Sequence, residues 1–200
     1  MKTIDINKFE ATYDNEIREA FHKKKLQTQH NCSSTLIIDE LGLLHGSNRI
    51  DIAVINGLIH GYEIKSSKDT LKRFETQFDT YRKSLQKITY ITAPNHMDAL
   101  LKVLPEWCGV MLAEKGNRGA IHFFTVRPAK CNPEVDTMTL AHLLWKNEAQ
   151  ELLMELGVNK KKLLGNRASL YEQLAQTLQP NQLIHSIKEK FISRKNWRVE

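Results

Sequence analysis

The chain predicts an α/β fold, a mixed central sheet flanked by helices. Three observations carry that expectation. Two apolar strand-like stretches, 49–55 and 59–66, meet around Asn56-Gly57, a strong hairpin signal. A helical pattern follows directly, because Leu71, Phe74, Phe78, Tyr81 and Leu85 recur at three-four spacing and one side can pack on the sheet. Pro128 to Pro133 then breaks the pattern, and leucine-rich helical segments take over beyond it.

The elements can be placed in order. A first helix runs from Asp14 to about Leu26, with Asp14 as N-cap and Ile17, Ala20 and Phe21 as its apolar stripe. Thr35 to Leu41 reads as a strand that ends on Asp39-Glu40, with Glu40 on the face of Leu36 and Ile38. After the central hairpin, Asp69 caps a helix that reaches about Gln86. A strand over Lys87 to Ala93 and a helix from about Asn95 to Leu104 come next. Trp107 to Ala113 and Ala120 to Arg127 form a second hairpin around residues 116–119. One long helix ending near Gly157 follows, then two more, about Ala168 to Leu178 and Asn181 to Ser193. The reading is a core over residues 1–130 and a helical appendage over 131–200 that packs on it.

The central hairpin carries unusual charges. Asp51 stands alone among Ile, Ala and Val, while Glu63 and Lys65, two apart, point to one face of the next strand. A two-residue Asn56-Gly57 loop would put Asp51 across from Tyr62 and Glu63 on the other side of the sheet. A three-residue loop, with Gly57 left-handed, pairs Ile55 with Ile59 and sets Asp51 across from Glu63. Only the second register leaves an apolar opposite face of Ile50, Ile52, Val54, Tyr62 and Ile64, so it is the one expected. Charges in such strands are costly unless paired or holding a metal. Two carboxylates beside a lysine suit Mg²⁺ or Mn²⁺, hard cations that take oxygen ligands. The spacing alone also describes a surface salt bridge on an amphipathic hairpin.

Asp51…Glu63-Ile64-Lys65 resembles the PD-(D/E)XK nuclease superfamily, and Gln77 to Tyr81 matches the QxxxY motif of its RecB-like branch. The run Asp39-Glu40-Leu41-Gly42-Leu43, His45-Gly46, Arg49 to Val54, Gly61 to Ser66 and Asp69-Thr70-Leu71 is similar to a bacterial and phage family of small nuclease-like proteins. The likeness continues through Pro105 to Val110, Leu143-Leu144-Trp145 and Arg194-Lys195-Asn196-Trp197. Ile50 stands where the superfamily's name has a proline. The resemblance implies a restriction-endonuclease-like αβββαβ core. It also implies Asp51, Glu63 and Ile64 at the metal, and Lys65 as the cation that orients water. Glu40 or Glu16 is implied as an auxiliary acid and Gln77 as a positioning residue. Arg49, Arg73 and Tyr81 are the expected nucleic-acid contacts. Plainer readings stand beside these: a strand-end charge for Glu40, a first-turn glutamate for Glu16, an ordinary amphipathic helix for Arg73.

Composition agrees with such a protein. The net charge of +6 and pI near 9.2 favour a polyanionic partner such as DNA. Lys23-Lys24-Lys25 and Lys160-Lys161-Lys162 offer phosphate contacts or merely solvated surface, and Arg194, Lys195, Trp197 and Arg198 put an aromatic among cations. Cys32, Cys108 and Cys131 form neither a disulfide framework nor a zinc motif, and no organic cofactor is implied. With no long apolar run and no secretory signal, a cytoplasmic protein without a membrane partner is expected. Cutting both strands needs two sites, which admits a homodimer, although no self-complementary surface is legible. The expected activity is metal-dependent hydrolysis of DNA. The rival is a catalytically inactive nuclease-fold protein that binds DNA or serves a repair or phage-defence complex.

Overall fold

Six strands form one mixed sheet in the order of the chain. They are β1 (Leu36–Leu43), β2 (Asn48–Ile55), β3 (Ile59–Lys65), β4 (Lys87–Thr92), β5 (Gly109–Lys115) and β6 (Ile121–Arg127). The computed structural model describes residues 10–194. β1, β2 and β3 make an antiparallel meander, whereas β3, β4 and β5 run parallel. Parallel neighbours need crossovers, supplied here by α3 (Phe74–Ser84) and α4 (Pro94–Val103). β6 returns antiparallel to β5.

Helices cover both faces of the sheet. On one side α1 (Asp14–Lys25) lays Ile17 and Phe21 on Ile52, Val54, Ile64, Ile91 and Ala113. The other side holds the larger cluster. There Phe74, Tyr81 and Leu85 from the α3 region and Met97 and Leu100 of α4 meet Ala53, Ile55, Ile59, Ile88 and Val110. The same cluster continues without a break into Leu140, Leu144, Leu153, Leu170, Leu174, Leu183, Ile187 and Phe191. These last residues come from α5 (Thr137–Ala141), α6 (Lys146–Glu155), α8 (Arg167–Thr177), α9 (Pro180–Ser193) and the turn after α5. Two single-turn helices, α2 (Gln27–His30) and α7 (Lys160–Leu163), complete the described residues.

Several boundaries differ from expectation for physical reasons. α1 is capped by Tyr13, with Asp14 already its first helical residue. Asp69 caps nothing: its carboxylate takes the Ser66 N–H and hydroxyl, both at 2.7 Å, which closes a turn and delays α3 until Phe74. The leucine-rich segment is two helices rather than one. His142 to Trp145 leave the helix because Leu143 and Leu144 are buried together and the Leu144 carbonyl accepts the Tyr171 hydroxyl at 2.6 Å.

The expected three-residue loop is present, since Ile55 pairs with Ile59 and Gly57 has φ +72°. Ile50, however, does not lie with Ile52. Both are fully buried, yet Ile50 joins the α3-side cluster and Ile52 the α1-side cluster. Alternation also breaks in β1, where Leu36 and Ile38 lie on the α3 side and so do Leu41 and Leu43. Glu40 sits at that break with φ +56°, a left-handed conformation uncommon for a non-glycine residue. The β1–β2 register sets Glu40 opposite Asp51, so both strands turn over at one point.

His60 on β3 gives a test of the packing. Its ring stacks on Tyr62 with centroids 4.2 Å apart, and Nε2 lies 2.8 Å from the Thr89 hydroxyl of β4. Burial and the Lys87 charge hold its pKa at about 3, far below the ordinary 6.5. The unfolded chain therefore takes up a proton below pH 6.5 that the folded chain refuses. Stability that is complete above that pH falls as the pH drops toward 3. Each pH unit in that window removes up to about 1.4 kcal/mol. Urea unfolding of His60→Gln between pH 7.5 and pH 5 is expected to show a flatter decline than the parent chain; parallel declines would contradict this account.

Candidate functional site

The turn-over at Glu40 and Asp51 opens the sheet and gathers its charges. Pairing of β2 with β3 ends at Ile52 and Tyr62. In the gap beyond, Asp51 Oδ2 accepts the Ile64 backbone N–H at 2.6 Å. A side chain thus replaces a strand-to-strand bond, which is how this carboxylate is tolerated between two apolar strands.

Two cations hold four carboxylates around the gap. From α1, Arg18 lies 3.1 Å from Asp14, 2.7 Å from Glu40 and 3.0 Å from Asp51, and donates to the Asp51 carbonyl at 2.6 Å. From the α3 side, Lys65 Nζ donates to Glu63 Oε1 at 2.7 Å and to Gln77 Oε1 at 3.2 Å. Glu63 is 3 % exposed and Lys65 7 %, so this pair is out of bulk water. Burial raises the Glu63 pKa above the usual carboxylate range although Lys65 and Tyr81 pull it down. Burial and then the neighbouring Glu63 charge push Asp51 up to about 8, against the opposing Ile64 N–H and Arg18. With every carboxyl ionised the group would carry more negative charge than its two cations offset.

Tyr81 holds the centre. Its hydroxyl lies 2.8 Å from Glu63 Oε2 and 2.6 Å from the Arg49 carbonyl oxygen. A hydroxyl has one proton and cannot donate to both at once. Both partners accept, so the single hydroxyl proton serves the Arg49 carbonyl or Glu63 at any moment and ties the two to one group.

The structure sorts the expected residues. Glu63, Lys65 and Gln77 meet by direct contacts, and Glu40 and Asp51 meet through Arg18. The expected pairing of Asp51 with Glu63 does not form, because β2–β3 pairing stops at Ile52 and Tyr62 and Asp51 turns to Arg18 and the Ile64 N–H. Ile64 enters through its N–H. Tyr81 corrects an expectation: it is fully buried, touches Glu63, and cannot reach a nucleic acid. Glu16 points elsewhere, pairing with Lys115 at 2.7 Å and accepting the Tyr13 N–H. Asp14, two residues earlier, is the α1 acid at the gap; together with Arg18 it was missed. The i, i+4 spacing of Asp14 and Arg18 was the available signal. Arg49 and Arg73 are exposed, Arg73 one turn before Gln77.

The basic segments behave differently from one another. Lys24 is tied to the Ile121 carbonyl at 2.6 Å, whereas Lys160, Lys161 and Lys162 are exposed. Arg194 is not an open phosphate contact. It pairs with buried Glu148 at 2.6 Å, donates to the Leu143 carbonyl and stacks over Trp145 and Phe191. Lys195, Trp197 and Arg198 lie outside the described residues. Two clefts of about 500 Å³ flank His22 and His30, and neither is lined by Asp51, Glu63 or Lys65. Here His22 bridges His30 at 3.0 Å and Asp39 at 2.9 Å, pinning α1 and α2 to β1.

A family model described as bacteriophage P4 protein cII matches residues 7–199. The chain belongs to this family. It is similar to Protein cII of Enterobacteria phage P4, at 27 % identity over 168 residues. That match takes in 82 % of this chain and 62 % of the relative, so the chain spans about three-fifths of the relative's length. It also resembles the solved SPO1766 protein of unknown function from Silicibacter pomeroyi, at 15 % identity and a TM-score of 0.43. That likeness covers 73 % of this chain and 94 % of the other. None of these names states an activity. Among the described residues no helix is long and apolar enough to cross a membrane. Nor do three or more His, Cys, Asp or Glu side chains among them converge as a ready-made metal cage.

Removing the Tyr81 hydroxyl tests its place in the network. Tyr81→Phe leaves the Arg49 carbonyl and Glu63 Oε2 without this partner, a loss of about 1–3 kcal/mol for buried polar groups. A lower urea midpoint with an unchanged slope is expected; an unmoved midpoint would show that the hydroxyl does not hold the gap.

Proposed function

We propose that the chain is a Mg²⁺- or Mn²⁺-dependent nuclease of the PD-(D/E)XK kind that hydrolyses phosphodiester bonds in DNA. One observation carries this reading. Among the described residues the ion pairs of Asp14, Glu40, Asp51 and Glu63 are with Arg18 and Lys65, so with all four ionised they exceed these cations by two charges. That difference equals the charge of one divalent ion; burial first, and for Asp51 the neighbouring Glu63 charge second, raises the pKa of both carboxyls. The donors are oxygens throughout, as Mg²⁺ and Mn²⁺ prefer.

Asp51 and Glu63 would hold the ion, with Ile64 between the strands at the same opening. Once bound, it supplies Lewis-acid polarisation of a phosphoryl oxygen and neutralises developing charge. The protein's own groups do the rest. Lys65, fixed by Glu63 and Gln77, keeps a third N–H free to orient water or to face charge growing on the phosphate. Tyr81 keeps Glu63 in place from the buried side. Arg49 and Arg73, exposed near this network, are suited to phosphate contact. The basic net charge fits a polyanionic substrate.

The rival reading is a non-hydrolysing nuclease-fold protein that binds DNA or serves an accessory role. It draws on the absence, among the described residues, of three converging metal ligands. Cleavage assays separate the two. The parent chain is incubated with Mg²⁺ or Mn²⁺ and linear, circular, single-stranded and branched DNA, beside Asp51→Ala and Lys65→Ala. Each variant is expected to lose at least about a hundredfold in rate while its circular dichroism stays that of the parent. Equal cleavage by parent and both variants would remove the site from the reaction, and no cleavage by the parent on any substrate would favour the rival.

A further inference from the structure

The sheet ends differently at its two edges. At β1 the edge is guarded: His22 holds the exposed Asp39 at 2.9 Å there, and Glu40 kinks the strand with φ +56°. Charges and irregularities of this kind keep an edge from pairing with another chain. β6 has no such guard. Residues 121–127 contain no carboxylate, lysine or proline. Their one arginine, Arg127, is tied back to the Cys108 carbonyl at 2.8 Å and the Leu104 carbonyl at 3.3 Å. Phe124 nevertheless stands 52 % exposed and Val126 47 %, and the Arg127–Leu104 bond brings alongside them the end of α4, where Val103 is 56 % exposed.

The backbone of β6 says what kind of partner fits. At the β5–β6 turn the Gly116 N–H donates to the Ala120 carbonyl at 2.9 Å, which makes these two a hydrogen-bonded pair. Bonded and non-bonded pairs alternate along an antiparallel ladder. His122 and Phe124 therefore bond to β5, whereas Ile121, Phe123 and Thr125 turn their N–H and C=O groups outward. In keeping with this, the Lys24 ammonium takes the Ile121 carbonyl at 2.6 Å. The outward groups of Phe123 and Thr125 have no partner among the described residues. Two residues that each offer one donor and one acceptor along a strand are matched by another strand.

We infer that β6 is a dimerisation edge, on which β6 of a second copy pairs antiparallel about Phe124. The strand is its own complement. With the two-fold axis at Phe124, Phe123 of each copy faces Thr125 of the other, and the four unpaired donors meet the four unpaired acceptors. An axis at Phe123 would instead need Ile121, whose carbonyl Lys24 already holds. The two Phe124 rings meet as a non-hydrogen-bonded pair with Cα atoms about 4.5 Å apart, where side chains approach most closely. Continued outward, the register sets Ile121 by Arg127 and His122 by Val126, so no charge meets its like. Regular β5–β6 pairing breaks beyond Thr125, so the contact is short and its dissociation constant on the order of micromolar. None of this depends on the nuclease reading.

Sedimentation equilibrium over concentrations that bracket this constant reads the association. The parent chain is expected to pass from the mass of one chain to that of two. Phe124→Lys sets lysine against lysine and is expected to weaken the dimer at least about tenfold, with circular dichroism and melting unchanged. Ile192→Lys, on an equally open apolar residue of α9, is expected to dimerise as the parent does. The register is read by oxidation in a chain whose Cys32 and Cys131 are replaced by serine. There Phe124→Cys is expected to give a disulfide-linked dimer, because its Cα atoms come within disulfide reach, and Thr125→Cys, which faces Phe123, is not. A parent that stays a single chain throughout, or a Phe124→Lys variant that associates like the parent, would overturn the inference. So would cross-linking through Thr125→Cys in place of Phe124→Cys.

Discussion

The structure depends on an imbalance of charge confined to one opening in a sheet. Four carboxyls meet two cations where β2 leaves β3; Asp14 and Glu40 are half in solvent, whereas burial pushes the Asp51 pKa up to about 8. A fold selected for stability alone would place apolar residues there, since buried ion pairs seldom outperform them. The neighbouring elements are arranged around this cost. β1 and β2 turn over together, Ile64 gives its N–H to a side chain, and Tyr81 is sunk into the core with its hydroxyl on Glu63. Concentrated strain of this kind is common where a protein does chemistry.

The helices beyond residue 130 belong to the same packing problem. Their leucines extend the cluster that covers the α3 face, and Arg194 closes it by pairing with Glu148 beneath the Trp145 and Phe191 rings. The β1–β2 turn also reaches them: His45 lies 2.9 Å from His142, and both rings rest on Tyr171. Hence the turn that leads into Asp51 is tied at its tip to the C-terminal helices. A rigid support of this sort suits a site that must hold side chains in fixed positions.

Legibility varied with the range of the interactions. Periodicity located the strands and most helices to within a few residues, because alternation and three-four spacing are local consequences of burial. The three-residue hairpin loop was legible for the same reason. Boundaries failed where a tertiary contact overrode a local signal, as with Asp69, whose oxygen found Ser66 instead of a helix start. Periodicity puts Ile50 on the wrong face, because a break in alternation leaves no mark in a pattern that assumes alternation. Glu16 and Asp14 were exchanged because helix spacing alone does not say which first-turn acid faces the sheet.

The sequence by itself determined the α/β class, the antiparallel central hairpin, and the placement of Glu63 and Lys65 on one face of a strand, since these follow from side-chain periodicity and short spacings. Only the tertiary structure decided that Arg18 joins Asp14, Glu40 and Asp51, that Tyr81 faces inward, and that Arg194 is an internal anchor. Those outcomes arise from contacts between residues far apart in the chain, whose distances are fixed by how helices seat on a twisted sheet. No local pattern encodes them.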